Sequence, residues 1–239
     1  MADHRCGGHQ ATAAALAAGY RHVDTATVYG NEAEVGRALD ESGIDRSELF
    51  VTTKCPPSRA GQEIETLQQS LRMLETSYVD LWLIHWADER GAHTDMWRAF
   101  IEARDRRLVR DVGVSNYTVD MLDELAEATG TMPTVNQIEW SPLLFDADVL
   151  EQHRSRGVAL EGYSALRGGT LTNPTIQRIA DAAGRTPAQV IIGWHLQHGV
   201  IVIPKSRNAE RIRSNADVGR LTLSADDMTA LDQLGSATS

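Results

Sequence analysis

An acid and a phenol stand five residues apart in Gly19-Tyr20-Arg21-His22-Val23-Asp24-Thr25-Ala26-Thr27-Val28-Tyr29-Gly30-Asn31-Glu32, where a strand pattern runs into a helix pattern. Two later strand patterns end in Lys54 and His85. Together Asp24, Tyr29, Lys54 and His85 form a set able to protonate a carbonyl oxygen while a hydride attacks its carbon. A free tyrosine, with a pKa of ~10, is a reluctant acid at neutral pH, and a nearby ammonium favours the phenolate. Lys54 is the candidate ammonium. Asp24 would keep it charged and aimed, and His85 would hydrogen-bond the substrate oxygen and fix its orientation. Taken singly, each has a bland alternative: a turn or helix cap for Asp24, a solvated strand end for Lys54, a satisfied polar core group for His85. Their register after three successive strands turns the argument toward chemistry.

The elements that must position them follow a βα rhythm. Strands are expected near residues 20–25, 49–54, 79–85, 109–114, 134–138, 158–163 and 200–203. The near-continuous apolar runs Val79-Asp80-Leu81-Trp82-Leu83-Ile84 and Val200-Ile201-Val202-Ile203 suit parallel strands covered on both faces. Amphipathic helices are expected near 31–42, 62–75, 94–106, 118–128, 146–155, 174–183 and 187–198, with an earlier helix pattern from His9 to Ala18. Start signals stand at Thr118, at Thr186 followed by Pro187, and at Asn208. Strict alternation means a parallel sheet. No Gly-x-Gly-x-x-Gly follows a strand, which counts against a doubly wound dinucleotide domain and leaves a (β/α) barrel of the TIM type ahead. The expected organisation is one domain over residues 1–239, with an irregular leader over 1–8.

Composition sets the outer limits. The chain has 239 residues, 42% of them hydrophobic and 23% charged, as expected of a globular protein. Its net charge of −10 argues against general nucleic-acid or anionic-membrane binding, so an anionic ligand needs a local cluster of positive charge. Two cysteines, Cys6 and Cys55, are no disulfide framework, and a reducing cytosol is the expected location. Cys55 reads as a small buried filler beside Lys54. His22 reads as structural, and His93, His153, His195 and His198 lack metal-ligand spacing, so no metal is implied.

The chain resembles the aldo-keto reductases over about His9 to Leu234. The resemblance rests on Gly19-Tyr20-Arg21-His22-Val23-Asp24-Thr25-Ala26 with Tyr29, Asn31 and Glu32, on Lys54, and on Asp80-Leu81 with His85-Trp86. It continues through Gly113-Val114-Ser115-Asn116-Tyr117, Asn136-Gln137-Ile138-Glu139, Tyr163-Ser164-Ala165-Leu166, and Ile203-Pro204-Lys205-Ser206 followed by Arg211 and Asn215. It implies a (β/α)8 barrel that reduces carbonyls with NADPH, Tyr29 being the general acid in reduction and the general base in reverse. Ser115, Asn116 and Gln137 would then hold the nicotinamide carboxamide, and Tyr163 would stack on the ring. Ser164, Leu166 and Asn215 match further cofactor-binding positions. Lys205, Ser206 and Arg207, with Arg211, lie between the last strand and a helix N-terminus, where backbone N–H groups and the helix dipole favour phosphate. The match to the family's 2′-phosphate residues implies NADPH rather than NADH.

Trp86 would wall an open pocket for small aldehydes, ketones or keto sugars. Ala87 stands where many relatives have proline, and 87–93 is short. Only seven strands are found where a closed barrel wants eight, and the strand that would open the barrel is not visible. Such a seam needs covering by the leader, a rearranged neighbour or a second copy, so the chain is expected as a monomer or homodimer. The alternative function is a weakly active or non-catalytic nucleotide-binding or interaction protein of the same fold. The complete tetrad favours the enzyme, because a binding protein has no need of all four side chains.

Overall fold

The computed structural model describes residues 6–87, 91–219 and 221–236, which divide at Asn136/Gln137 into two compact units. The first unit opens with α1 (Cys6–Ala17) and continues through β1 (His22–Asp24), α2 (Glu32–Glu41), β2 (Phe50–Cys55), α3 (Glu63–Met73), β3 (Val79–Ile84), α4 (Thr94–Asp105), β4 (Val109–Ser115) and α5 (Val119–Thr129). Strand β5 (Val135–Glu139) carries the chain across the boundary. The second unit then holds α6 (Ala147–Ser155), β6 (Ala159–Tyr163), α7 (Pro174–Ala183), α8 (Pro187–Gln197), β7 (Ile201–Val202), α9 (Ala209–Ala216) and α10 (Ala225–Ser236).

The seven strands follow one another in chain order in the sheet. The register is parallel, pairing Asp24 with Thr52, Lys54 with Leu83, and Leu83 with Gly113. Every residue of β3 is buried, Asp80 included, as its near-continuous apolar run suggests. Trp82 of β3 stacks on Phe100 of α4, ring centroids 3.6 Å apart, and fixes that helix on its strand. Each such fully buried apolar side chain contributes about 1.5–3 kcal/mol relative to exposure. Gly113 is glycine because β4 runs tight against its neighbours: a Cβ there would sit 2.6 Å from Val135 O and 2.8 Å from Leu83 Cδ2. In the second unit Trp140, Ile176, Ile179, Val190, Ile191 and Leu231 form the core.

The helix signals act as read. The Thr118 hydroxyl accepts from Met121 N at the start of α5, and Gly130 ends it in the left-handed conformation. Thr186 and Gln189 form a reciprocal capping box around Pro187 at the start of α8.

Two expectations need correction. Residues 1–5 of the expected leader lie outside the described residues, but Cys6, Gly7 and Gly8 already belong to α1. The extension follows from packing on α2: a Cβ on Gly8 would stand 2.5 Å from Glu34 Oε2, and the Thr12 hydroxyl donates back to Gly8 O at 2.9 Å. The second is α10, which was not expected; Ser224 caps its start by accepting from Asp227 N at 3.1 Å. No described helix is long and apolar enough to cross a membrane.

Candidate active site

Asp24, Lys54 and His85 reach the same end of three neighbouring strands of the first unit. Asp24 is the last residue of β1, Lys54 the penultimate residue of β2, and His85 the residue after β3, its amide still donating to Cys55 O at 3.0 Å. Lys54 is wholly buried and Asp24 nearly so, with side chains 0% and 11% exposed. The Lys54 ammonium donates to Asp24 Oδ1 at 2.5 Å and to Thr25 O at 2.9 Å. Burial of an ammonium is tolerable only with such a counter-charge and hydrogen bonds.

Tyr29 stands on a 3-10 turn, Thr27–Tyr29, which Gly30 closes in the left-handed region at φ 63°. The Tyr29 ring is half exposed, and two groups of the set face it. Lys54 Nζ lies 5.4 Å from the ring centroid, and the His85 imidazole meets it edge-on at 5.6 Å and 80°. The turn is tied down from both ends. The Thr25 hydroxyl donates to Asn31 Oδ1 at 2.8 Å, and the Thr27 hydroxyl donates to Lys54 O at 2.7 Å. Buried Glu32, at the start of α2, accepts from the Thr53 hydroxyl at 2.6 Å. Asn31 and Glu32 of the sequence motif are therefore props of the loop.

Burial, and then the Lys54 charge, push the His85 imidazole down to about 4, with Asp24 opposing in part. The ring is neutral at physiological pH and can donate one hydrogen bond and accept another. Its buried Nδ1 has no hydrogen-bond partner among the described residues. Trp86 packs against His85 with ring centroids 4.4 Å apart, and with half-exposed Val28 it gives the site an apolar rim.

The residues marked for cofactor binding fall in both units. In the first, Ser115 ends β4 buried, and Asn116, in the left-handed region at φ 59°, donates from Nδ2 to Ser115 Oγ at 3.1 Å. In the second, buried Gln137 lies inside β5 rather than at its end, and its Nε2 donates to buried Glu161 Oε1 at 2.9 Å. This carboxylate partner was not anticipated; Glu161 stands in the strand pattern just before Tyr163, with nothing in the local sequence to couple it to Gln137. Tyr163 ends β6 half-buried, and Ser164 follows in the left-handed region at φ 56°. Leu166, partly buried, packs its side chain against the core of the second unit. Lys205, Arg207 and Arg211 are exposed around the start of α9, where Ser206 Oγ accepts from Asn208 N and Asn208 Oδ1 accepts from Arg211 N. Asn215 is buried within α9.

The remaining candidates are structural. His22 shares a 3.0 Å hydrogen bond with the Thr52 hydroxyl, and burial holds its pKa low. His153 and His195 each bond the carbonyl four residues earlier, those of Val149 and Ile191. Among the described residues no group of three or more His, Cys, Asp and Glu could hold a metal ion. Cys55 is buried and its thiol is pushed up to about 12, chiefly by burial, so it is an inert filler.

Residues 9–236 match the model of the aldo/keto reductase family. The chain belongs to that family. It is 45% identical over 232 residues to an aldo-keto reductase of Mycobacterium sp. (strain JLS), covering 95% of this chain and 84% of that protein. It is 42% identical over 232 residues to 2,5-diketo-D-gluconic acid reductase B of Corynebacterium sp. (strain SHS752001), with the same coverage of 95% and 84%. A crystal structure of a Gox0644 variant in complex with NADPH superposes with a TM-score of 0.90 at 38% identity, covering 96% of this chain and 84% of that one. The α/β fold of parallel strands is that of an aldo-keto reductase, with seven strands among the described residues, and the family is one of oxidoreductases.

Proposed function

We propose that this aldo-keto reductase is a cytosolic enzyme that reduces small aldehydes, ketones or keto sugars to alcohols with NADPH, Tyr29 acting as general acid. The observation that carries the reading is the wholly buried Lys54 ammonium, clamped by Asp24 at 2.5 Å and standing 5.4 Å from the Tyr29 ring. An ammonium there can stabilise the charge that develops on the phenol oxygen in the transition state, as the proton leaves. His85 is unsuited to that task, since its imidazole, pushed down to about 4, is neutral at physiological pH. Its neutral ring instead donates a hydrogen bond that orients the substrate oxygen. The half-exposed Tyr29 recovers its proton from solvent, and the reverse reaction uses the tyrosinate as base.

The nicotinamide, when bound, supplies the hydride. Each unit by itself carries groups that suit part of such a cofactor: the Ser115 hydroxyl and Asn116 amide in the first, and in the second the Gln137 amide, an aromatic face at Tyr163, and cations at Lys205, Arg207 and Arg211 about a helix start able to take phosphate. The Gox0644 relative's NADPH complex supports NADPH, and the Corynebacterium relative's name supports keto sugars among the substrates.

Titration of the protein into NADPH, followed by fluorescence, and then addition of 4-nitrobenzaldehyde with loss of NADPH absorbance, tests the proposal. Saturable binding followed by turnover is expected. Binding without turnover would replace the enzyme with a nucleotide-binding relative.

A further inference from the structure

Thr27 sits where the β1–β2 ladder runs out. In that ladder Phe50 N donates to Arg21 O at 2.8 Å, and Thr25 N donates to Thr52 O at 2.9 Å. With Asp24 opposite Thr52, the next donor in register would be the amide of residue 27, directed at the carbonyl of Lys54. The chain has by then turned away into the 3-10 turn that carries Tyr29. The bond is nevertheless made, by the side chain of that same residue: Thr27 Oγ1 donates to Lys54 O at 2.7 Å. Lys54 is thus gripped twice by one loop. Its ammonium is held by Asp24 and Thr25 O, and its carbonyl by the residue two before Tyr29.

We infer that Thr27 is a positioning residue that sets the separation of Tyr29 from Lys54 by replacing the missing ladder amide with its hydroxyl. This rests on the proposed reading of Tyr29 as the acid and deepens it. The 3-10 turn is three residues long, with Thr27 at its first position and Tyr29 at its last, so a shift of Thr27 away from β2 moves the phenol with it. Thr25 and Asn31 close the base of the loop but make no bond to β2 through their side chains. The Thr27 side chain ties the turn to the strand bearing Lys54. Displacement of a reacting group by 1 Å costs on the order of a hundredfold in rate, which sets the scale of the effect.

The test compares Thr27→Val, which keeps the shape and removes the donor, with Thr27→Ser, which keeps the donor and removes the methyl. Single-turnover oxidation of bound NADPH by 4-nitrobenzaldehyde is followed for both, with Tyr29→Phe as reference, alongside the NADPH dissociation constant and the thermal midpoint. The expected result is a loss of roughly 10–100-fold in the single-turnover rate for Thr27→Val, recovery to within about twofold in Thr27→Ser, and NADPH binding unchanged within about twofold. A Thr27→Val rate at the wild-type level, with Tyr29→Phe inactive, overturns the inference and leaves the mechanism standing. A fall in NADPH affinity and thermal midpoint that matches the fall in rate assigns Thr27 a structural role and also overturns it. Wild-type turnover by Tyr29→Phe overturns the mechanism itself, and this inference with it.

Discussion

Replacing Asp24 with Asn should destabilise the protein more than replacing Lys54 with Met, although the two side chains share one bond. The asymmetry comes from burial: Lys54 is 0% exposed, whereas the Asp24 side chain keeps 11% of its surface in solvent. In Asp24→Asn the ammonium stays buried with Thr25 O and a neutral amide as its partners. Removing one member of a buried pair costs about 3–5 kcal/mol, and the retained amide acceptor places this case near the lower end, at about 3 kcal/mol. For a chain of this length, each kcal/mol shifts the thermal midpoint by roughly 2–4 °C, so a fall of roughly 6–12 °C is expected. In Lys54→Met the buried charge itself is gone, and the carboxylate at the edge can hydrate; a cost of about 1–2 kcal/mol is expected. The double variant should be no less stable than Asp24→Asn alone, because the uncompensated ammonium is absent from it. Thermal and urea unfolding followed by circular dichroism measure all three. A more destabilising Lys54→Met, or two single variants that each cost no more than about 0.5 kcal/mol, would contradict this asymmetry.

Three further outcomes follow. The His85 imidazole, pushed down to about 4, binds fewer protons folded than unfolded between that pH and about 6.5. Stability should therefore fall as pH drops through this window, with His195, also pushed down to about 4, adding in the same sense. His85→Gln should flatten the slope, and a folded-state imidazole signal titrating near pH 6.5 in NMR would refute the assignment. Gly113→Ala places a Cβ 2.6 Å from Val135 O and should cost about 1–3 kcal/mol or more, read from urea unfolding; an unchanged midpoint would contradict the tight strand packing. Lys205→Ala with Arg211→Ala should weaken NADPH binding by roughly 10-fold or more while leaving NADH nearly unchanged, since charge-assisted bonds to phosphate are worth about 1.5–3 kcal/mol each. Equal effects on both cofactors in fluorescence titrations would rule out a 2′-phosphate contact.

The convergence of Asp24, Lys54 and His85 was legible in the sequence because each closes a strand pattern, and strand ends in a parallel βα fold lie side by side, with Tyr29 on the loop after the first. The burial of Lys54 was not legible, since a lysine at a strand end is ordinarily solvated and its cover comes from tertiary packing. The role of Thr27 was hidden for a related reason: it depends on where β1 stops, and a strand continued as far as residue 27 would have given the bond to the backbone. Gln137 and Glu161 stand on different strands, so their pairing is a tertiary fact without local signature. Helix α10 was readable in principle, since Ser224 and Asp227 have the spacing of a capping box, but Thr229 and Asp232 interrupt the apolar pattern. Asp80, part of the sequence resemblance, is a structural anchor: it is buried and bonded to Arg46, Arg110 and the amide of Val51.

The central claim is that Tyr29 delivers the proton while a hydride reaches the carbonyl carbon. The most direct test is the single-turnover oxidation of NADPH by an aldehyde in wild-type and Tyr29→Phe proteins matched for NADPH affinity. Removal of the phenol hydroxyl should lower the rate by at least the ~10²–10⁴-fold attributed to general acid–base catalysis, with binding intact. A Tyr29→Phe protein that oxidises NADPH at the wild-type rate would contradict it.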